Sequence, residues 1–117
     1  MAVSLTPWFG TVTGGAANTP QSIQALLAAL AASAAPNIGP SNVLRAAYIQ
    51  VQADPLGGGV KFYIGRSTMS ATDFGVQLVA AQVWTPPSAG LNLYRLDQIF
   101  LMADGQSANW NITFITR

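Results

Sequence analysis

The chain has no cysteine and no histidine, and its charge is sparse: five Lys or Arg and four Asp or Glu in 117 residues, 8% of the total. All four acids are aspartate, so glutamate is missing too. Each absence closes off chemistry. Without cysteine there is neither a disulfide framework nor a thiolate site. Without histidine or cysteine the usual nucleophile–base pairs cannot be assembled. Acid–base work would fall to Asp54, Asp73, Asp97, Asp104 or Lys61 alone.

Typical soluble domains are about 25% charged. Here neutral Gln, Asn, Ser, Thr and Ala must cover the surface. Low charge weakens repulsion between copies and lowers the desolvation cost of a contact. A subunit that packs against other subunits is expected. The net charge is +1, and Arg45, Lys61, Arg66, Arg95 and Arg117 are spread along the chain. No basic cluster forms, so no nucleic-acid partner is expected.

Long hydrophobic runs are also scarce. The longest, Ile23 to Ala35, contains a Leu/Ala stretch like the end of a secretory signal, but no Lys or Arg precedes Arg45. It is shorter than the roughly 20 residues a membrane-spanning helix needs. No membrane partner is expected. Ile23, Leu26, Leu27 and Leu30 follow helical spacing, so a helix over about 20–34 is predicted. Asn18 or Thr19 would cap it, with Pro20 in its first turn.

What the chain does have is period-two alternation. Ile49, Val51 and Ala53 alternate with Tyr48, Gln50 and Gln52, and Val60, Phe62 and Ile64 with Lys61 and Tyr63. The intervening Asp54-Pro55-Leu56-Gly57-Gly58-Gly59 reads as the loop of a β-hairpin. Further strands are predicted at about 75–79, 82–85, 91–95, 98–102 and 108–116. In the last of these Trp110, Ile112 and Phe114 form the buried face. Asp104-Gly105 reads as another hairpin turn. The expected fold is mainly β: a single antiparallel β-sandwich, jelly-roll-like, with one N-terminal α-helix. Residues 1–18 would be an N-terminal arm and 19–117 the domain. Val3 to Thr13, interrupted by Pro7, reads as a short extended arm or an edge strand, and Trp8 and Phe9 are expected to contact a neighbouring subunit.

Several tempting motifs fail on context. Asp73-Phe74-Gly75 matches the kinase magnesium-binding tripeptide without the rest of a kinase, and Gly57-Gly58-Gly59 is followed by a strand, unlike a P-loop. Asn111-Ile112-Thr113 is a formal sequon inside a predicted strand. Asp73 and Asp97 could form a carboxylate pair, and Asp73 with carbonyl oxygens a loop calcium site, but no metal-ligand cluster is present in the sequence. No cofactor is expected. Trp8, Trp84 and Trp110 with Tyr48, Tyr63 and Tyr94 could make a sugar-stacking platform; core and subunit contacts are the competing use of such residues.

Tyr63-Ile64-Gly65, Ser70-Ala71-Thr72 and Gly75-Val76-Gln77-Leu78, following the extended Gln50-Val51-Gln52-Ala53-Asp54-Pro55, resemble a group of small virion proteins of tailed bacteriophages. Thr19 to Leu30 and Leu91 to Met102 fit the same layout; Arg66 stands where the pattern carries an acidic or amide residue. The resemblance implies a non-enzymatic virion subunit, made in the bacterial cytoplasm and seated on the capsid as a decoration (cement) protein. Its partners would be the major capsid protein, other virion subunits and itself, as a trimer in preference to a dimer. A head fibre, tail or baseplate component is the alternative, and a carbohydrate-binding receptor module a further one. Contacts are expected from Trp8, Phe9 and Trp84, from Pro55 and Leu56 in the Gly-rich loop, and from Arg66 and Met69 in the Ser/Thr-rich loop.

Overall fold

The structure is a computed structural model that describes residues 7–30, 44–87 and 93–116. In chain order the elements are β1 (Trp8–Thr13), β2 (Gln21–Ser22), α1 (Ile23–Ala28), β3 (Arg45–Ala53), β4 (Phe62–Gly65), β5 (Val76–Leu78), β6 (Val83–Trp84), β7 (Tyr94–Arg95), β8 (Phe100–Ala103) and β9 (Asn109–Thr116). They form two antiparallel sheets. Sheet A runs β1-β9-β3-β6, with β7 also paired to β3, and sheet B runs β2-β8-β4-β5. The inner faces of both sheets and α1 share one apolar cluster, an arrangement consistent with a β-sandwich. Trp110 of sheet A and Phe62 of sheet B meet edge to face, with ring centroids 5.0 Å apart.

The alternation explains why the layers close. Ile49, Val51 and Ala53 of β3, Trp110, Ile112 and Phe114 of β9, and Phe62 and Ile64 of β4 are all buried. No polar or charged residue is buried among the described residues, so the interior is held by apolar contact alone. Between Ala46 and Tyr48 the register of β3 against β9 shifts by one. Such a bulge flips the parity of the strand, and so Ala46 also points inward.

Two expected hairpins are not hairpins. β3 lies in sheet A and β4 in sheet B, so residues 54–61 arch from one layer to the other. Asp104-Gly105 likewise joins β8 of sheet B to β9 of sheet A. In both cases each strand turns one apolar face inward, and burying those faces against each other places the strands in opposed sheets. The turn chemistry remains local: Asp54 Oδ1 accepts the Leu56 N–H at 2.9 Å, and Gly58 adopts φ 58°. The Asp104 carboxylate accepts the Lys61 N–H at 2.8 Å, tying these two crossing loops together.

Of the two readings of the N-terminal segment, arm or edge strand, residues 8–13 take the second, at the edge of sheet A. Residues 8–13 are paired with β9 along their whole length, Trp8 to Phe114 through Thr13 to Asn109. Trp8 stacks on Phe114 at 5.4 Å, and Val12 is fully buried. The Trp8 ring lies over Gly10, where an added Cβ would collide with it. Pro7 precedes this strand and so interrupts nothing. The helix is shorter than predicted, Ile23–Ala28, and residues 31–34 of the expected span lie outside the described residues. Its cap is Ser22, which accepts the Ala25 N–H at 3.0 Å, not Asn18 or Thr19. The predicted face is the one that packs: Ile23, Leu26 and Leu27 are buried and Leu30 lies against the core.

Deleting residues 2–13 should abolish cooperative unfolding in urea, because it removes β1 and strips β9 of a partner. Trp110→Ala should lower stability by about 3–5 kcal/mol, as large-to-small changes in a close-packed core do. Phe9→Ala, at an exposed site, should stay within about 0.5 kcal/mol.

Candidate functional site

The seven residues expected to make contacts do not converge. Phe9 is 68% exposed on the outer side of β1, and Leu56 is 91% exposed in the loop after β3, beside exposed Pro55. Arg66 follows the end of β4 away from that loop and pairs with Asp73 at 3.2 Å, both side chains largely exposed. Trp8 and Trp84 are half-buried against the core. Met69 is only 5% exposed: it packs with Tyr63 and Met102 on the outer face of sheet B, where the 66–75 loop folds back over the strands. Phe74 from that loop lies 4.9 Å from the Tyr63 ring. The loop therefore covers an apolar patch of its own domain, and Met69 serves that packing.

A tryptophan platform does not form either. Trp110 is 1% exposed and the other two are half-buried. The Tyr94 hydroxyl is engaged, donating to the Pro87 carbonyl.

The aspartates each have a local partner. Asp73 pairs with Arg66, and Asp97 with Arg95 through two hydrogen bonds of 3.1 and 2.8 Å, so the imagined Asp73–Asp97 pair is replaced by two ion pairs. The Arg95 hydrogen bonds hold the Asp97 carboxyl below its usual range, and the same contact raises Arg95. Among the described residues no three Asp side chains gather into a group that could hold a metal ion. No helix among them is long and apolar enough to cross a membrane.

Two open clefts mark the margins of the sandwich. One, of about 270 Å³, is bordered by Gly65, Arg66, Asp73, Phe74 and Gly75. The other, of about 230 Å³, lies between Ala47–Ile49 and Thr85–Pro87 with Tyr94. It borders the stretch of β3 between the residues paired with β6 and those paired with β7, both on the side of β3 away from β9. Neither cleft contains a nucleophile–base pair.

The most organised feature is the outer face of sheet A. Alternation turns Thr11 and Thr13 of β1, Asn109 and Asn111 of β9, and Gln50 and Gln52 of β3 away from the core, and the register sets them side by side. Thr11 donates to Asn111 Oδ1 at 2.7 Å, Asn111 Nδ2 donates to Gln52 Oε1 at 3.2 Å, and Gln52 Nε2 donates to the Ala81 carbonyl at 3.2 Å. The result is a one-way relay of neutral donors across three strands. Thr13 repeats its first step, donating to Asn109 Oδ1 at 2.7 Å. Such chains polarise and stiffen one another. Sequence reading saw these residues only as the polar half of each strand; their assembly into rows depends on the pairing of β1 and β3 with β9, which are far apart in sequence.

No family profile, curated protein or solved structure matches the chain.

Asp97 generates a pH prediction. Its native value lies below the ordinary 3.8, so the Arg95 contact contributes stability that is fully present above that value and is lost as pH falls through the native one. Stability measured by denaturant at pH 6 and pH 3 should fall for the wild type. Asp97→Asn should be less stable at pH 6 and show a smaller fall.

Proposed function

We propose that the chain is a non-enzymatic structural subunit of a tailed-phage virion, and within that class a capsid decoration protein on the outer surface of the head. The observation that carries this reading is the strand order. The chain crosses between layers at β1–β2, β2–β3, β3–β4, β5–β6, β7–β8 and β8–β9. With β6 and β7 counted as one interrupted edge strand, the two four-stranded orders support a jelly roll. Jelly rolls recur in viral capsid and lectin domains. A fold alone does not name a function; the phage-like Tyr63-Ile64-Gly65 to Leu78 pattern and the scarcity of charge point in the same direction.

The partners are the major capsid protein or neighbouring virion subunits, and further copies of the chain, as a trimer in preference to a dimer. Two features favour self-association. One is the low charge; the other is the outer side of α1, where Ala25, Ala28 and Ala29 are exposed and would let another chain approach closely. Exposed Phe9, Pro55 and Leu56 are among the apolar points available for contact, with Phe74, Val79 and Val83.

Attachment by such a surface relies on apolar contact and neutral hydrogen bonds, so it should be nearly indifferent to salt. Purified particles of the phage that encodes the chain should carry it in stoichiometric amounts, measured by quantitative mass spectrometry. They should keep it through washes from about 0.05 to 1 M NaCl, over which the Debye length falls from over 10 Å to about 3 Å. Absence from the particles would refute the virion reading. Loss of most of the protein in the wash would refute the account of attachment.

A further inference from the structure

We infer that the outer face of sheet A is a binding surface for a neutral glycan. The relay Thr11 to Asn111 to Gln52 to Ala81 uses one donor and one acceptor of each amide in its middle. An amide has two donors and two acceptor lone pairs, so Asn111 and Gln52 each keep one N–H and one lone pair for a ligand. A sugar hydroxyl both donates and accepts, which is what each such amide requires. The relay also fixes the amides in orientation before any ligand arrives, which lowers the ordering cost of binding.

Phe9 and Tyr48 add ring surface at the borders of this field. Phe9 pairs in register with Thr113, and Tyr48 with Ile115, both on the same outward side. The Tyr48 hydroxyl donates to Gln50 Oε1 at 2.9 Å, which holds its ring beside the amides. Both rings are exposed.

The class of partner follows from what the field lacks. None of the outward residues on the paired stretches Phe9–Thr13, Asn109–Ile115 and Tyr48–Gln52 carries a charge. Exposed Arg45 and Arg95 lie beyond them at the β7 end of the sheet, where Arg95 is paired with Asp97. An anionic polymer or a phosphate therefore finds no counter-charge in the centre of the field. A stable protein interface has a core about 65% apolar. The centre of this face is hydroxyl and amide, with its apolar side chains at the margin, so a second copy of the chain would have little apolar area to bury. A polyhydroxylated neutral chain exchanges water for hydroxyls without that requirement.

The test is native affinity electrophoresis of the full chain in gels containing dextran, yeast mannan or a neutral galactan, with dextran sulfate as the anionic control. At least one neutral polymer should retard the wild type. The double variant Asn111→Ala/Gln52→Ala should bind about tenfold more weakly, the effect of two ordinary neutral hydrogen bonds. Gln50→Lys should also weaken binding, by placing a charge in the field, and serves if the double variant fails to fold by far-UV circular dichroism. Retardation by none of the neutral polymers overturns the inference. So does retardation unchanged in a folded variant, or retardation by dextran sulfate alone. Sedimentation of the same proteins completes the test: a wild-type oligomer that Gln50→Lys converts to monomer, with no polysaccharide binding, would assign the face to a second copy instead.

Discussion

Everything else in this protein depends on one constraint: two sheets with no buried polar side chain between them among the described residues must close on apolar side chains alone. Trp110 and Phe62 are the centre of that closure, meeting edge to face across the layers. Each strand contributes one face to the interior, and none of the core has another use. A cavity-lining charge or a buried aspartate, the usual beginnings of an active site, would have to be accommodated at the cost of this seal. The chemistry of the molecule is therefore written on its outer surfaces and loops.

Those surfaces are unusual in the way they use hydrogen bonds. With so few charges, the exposed face of sheet A is organised by hydroxyls and amides that satisfy one another from strand to strand. The outer face of sheet B is organised differently, by Met69 and the loop that folds over Tyr63 and Met102. One sheet thus presents an open neutral field and the other is covered by its own chain. Backbone contacts tie the two ends of the sandwich: Gly14 N–H to the Ala108 carbonyl at 2.8 Å at one, and Gln24 N–H of the first turn of α1 to the Leu96 carbonyl at 3.1 Å at the other.

Strand positions were legible in the sequence because period-two alternation is local. The predicted 45–53 and 108–116 coincide with β3 and β9 almost to the residue, and the buried faces within them are the expected ones. Pairing was not legible. An amphipathic strand, a Gly-rich turn and a second amphipathic strand describe a hairpin and an arch between opposed sheets equally well, and the choice is made by where the other strands bury their faces. The same limit left β1 open between an arm and an edge strand: the partner that makes residues 8–13 a strand is β9, about a hundred positions away. Helical spacing located Ile23, Leu26 and Leu27, but the cap moved to Ser22 because residues 21–22 pair with β8 first. Apolar character in a loop separates Leu56 from Met69 poorly: one is bare and the other is a plug. The polar rows of sheet A were passed over because single strands show them only as alternation.

The assignment of β3 and β4 to opposed sheets underlies the core, the strand order and the composition of the neutral face alike. Nuclear Overhauser contacts in a labelled sample test it most directly. Backbone proton contacts should join Val51 to Ile112 and Phe62 to Ala103, following the registers of β3 with β9 and β4 with β8, and side-chain contacts should join Phe62 to Trp110. A ladder of backbone contacts running directly between β3 and β4 would make them a hairpin, and the account of the fold and of its surfaces would be wrong.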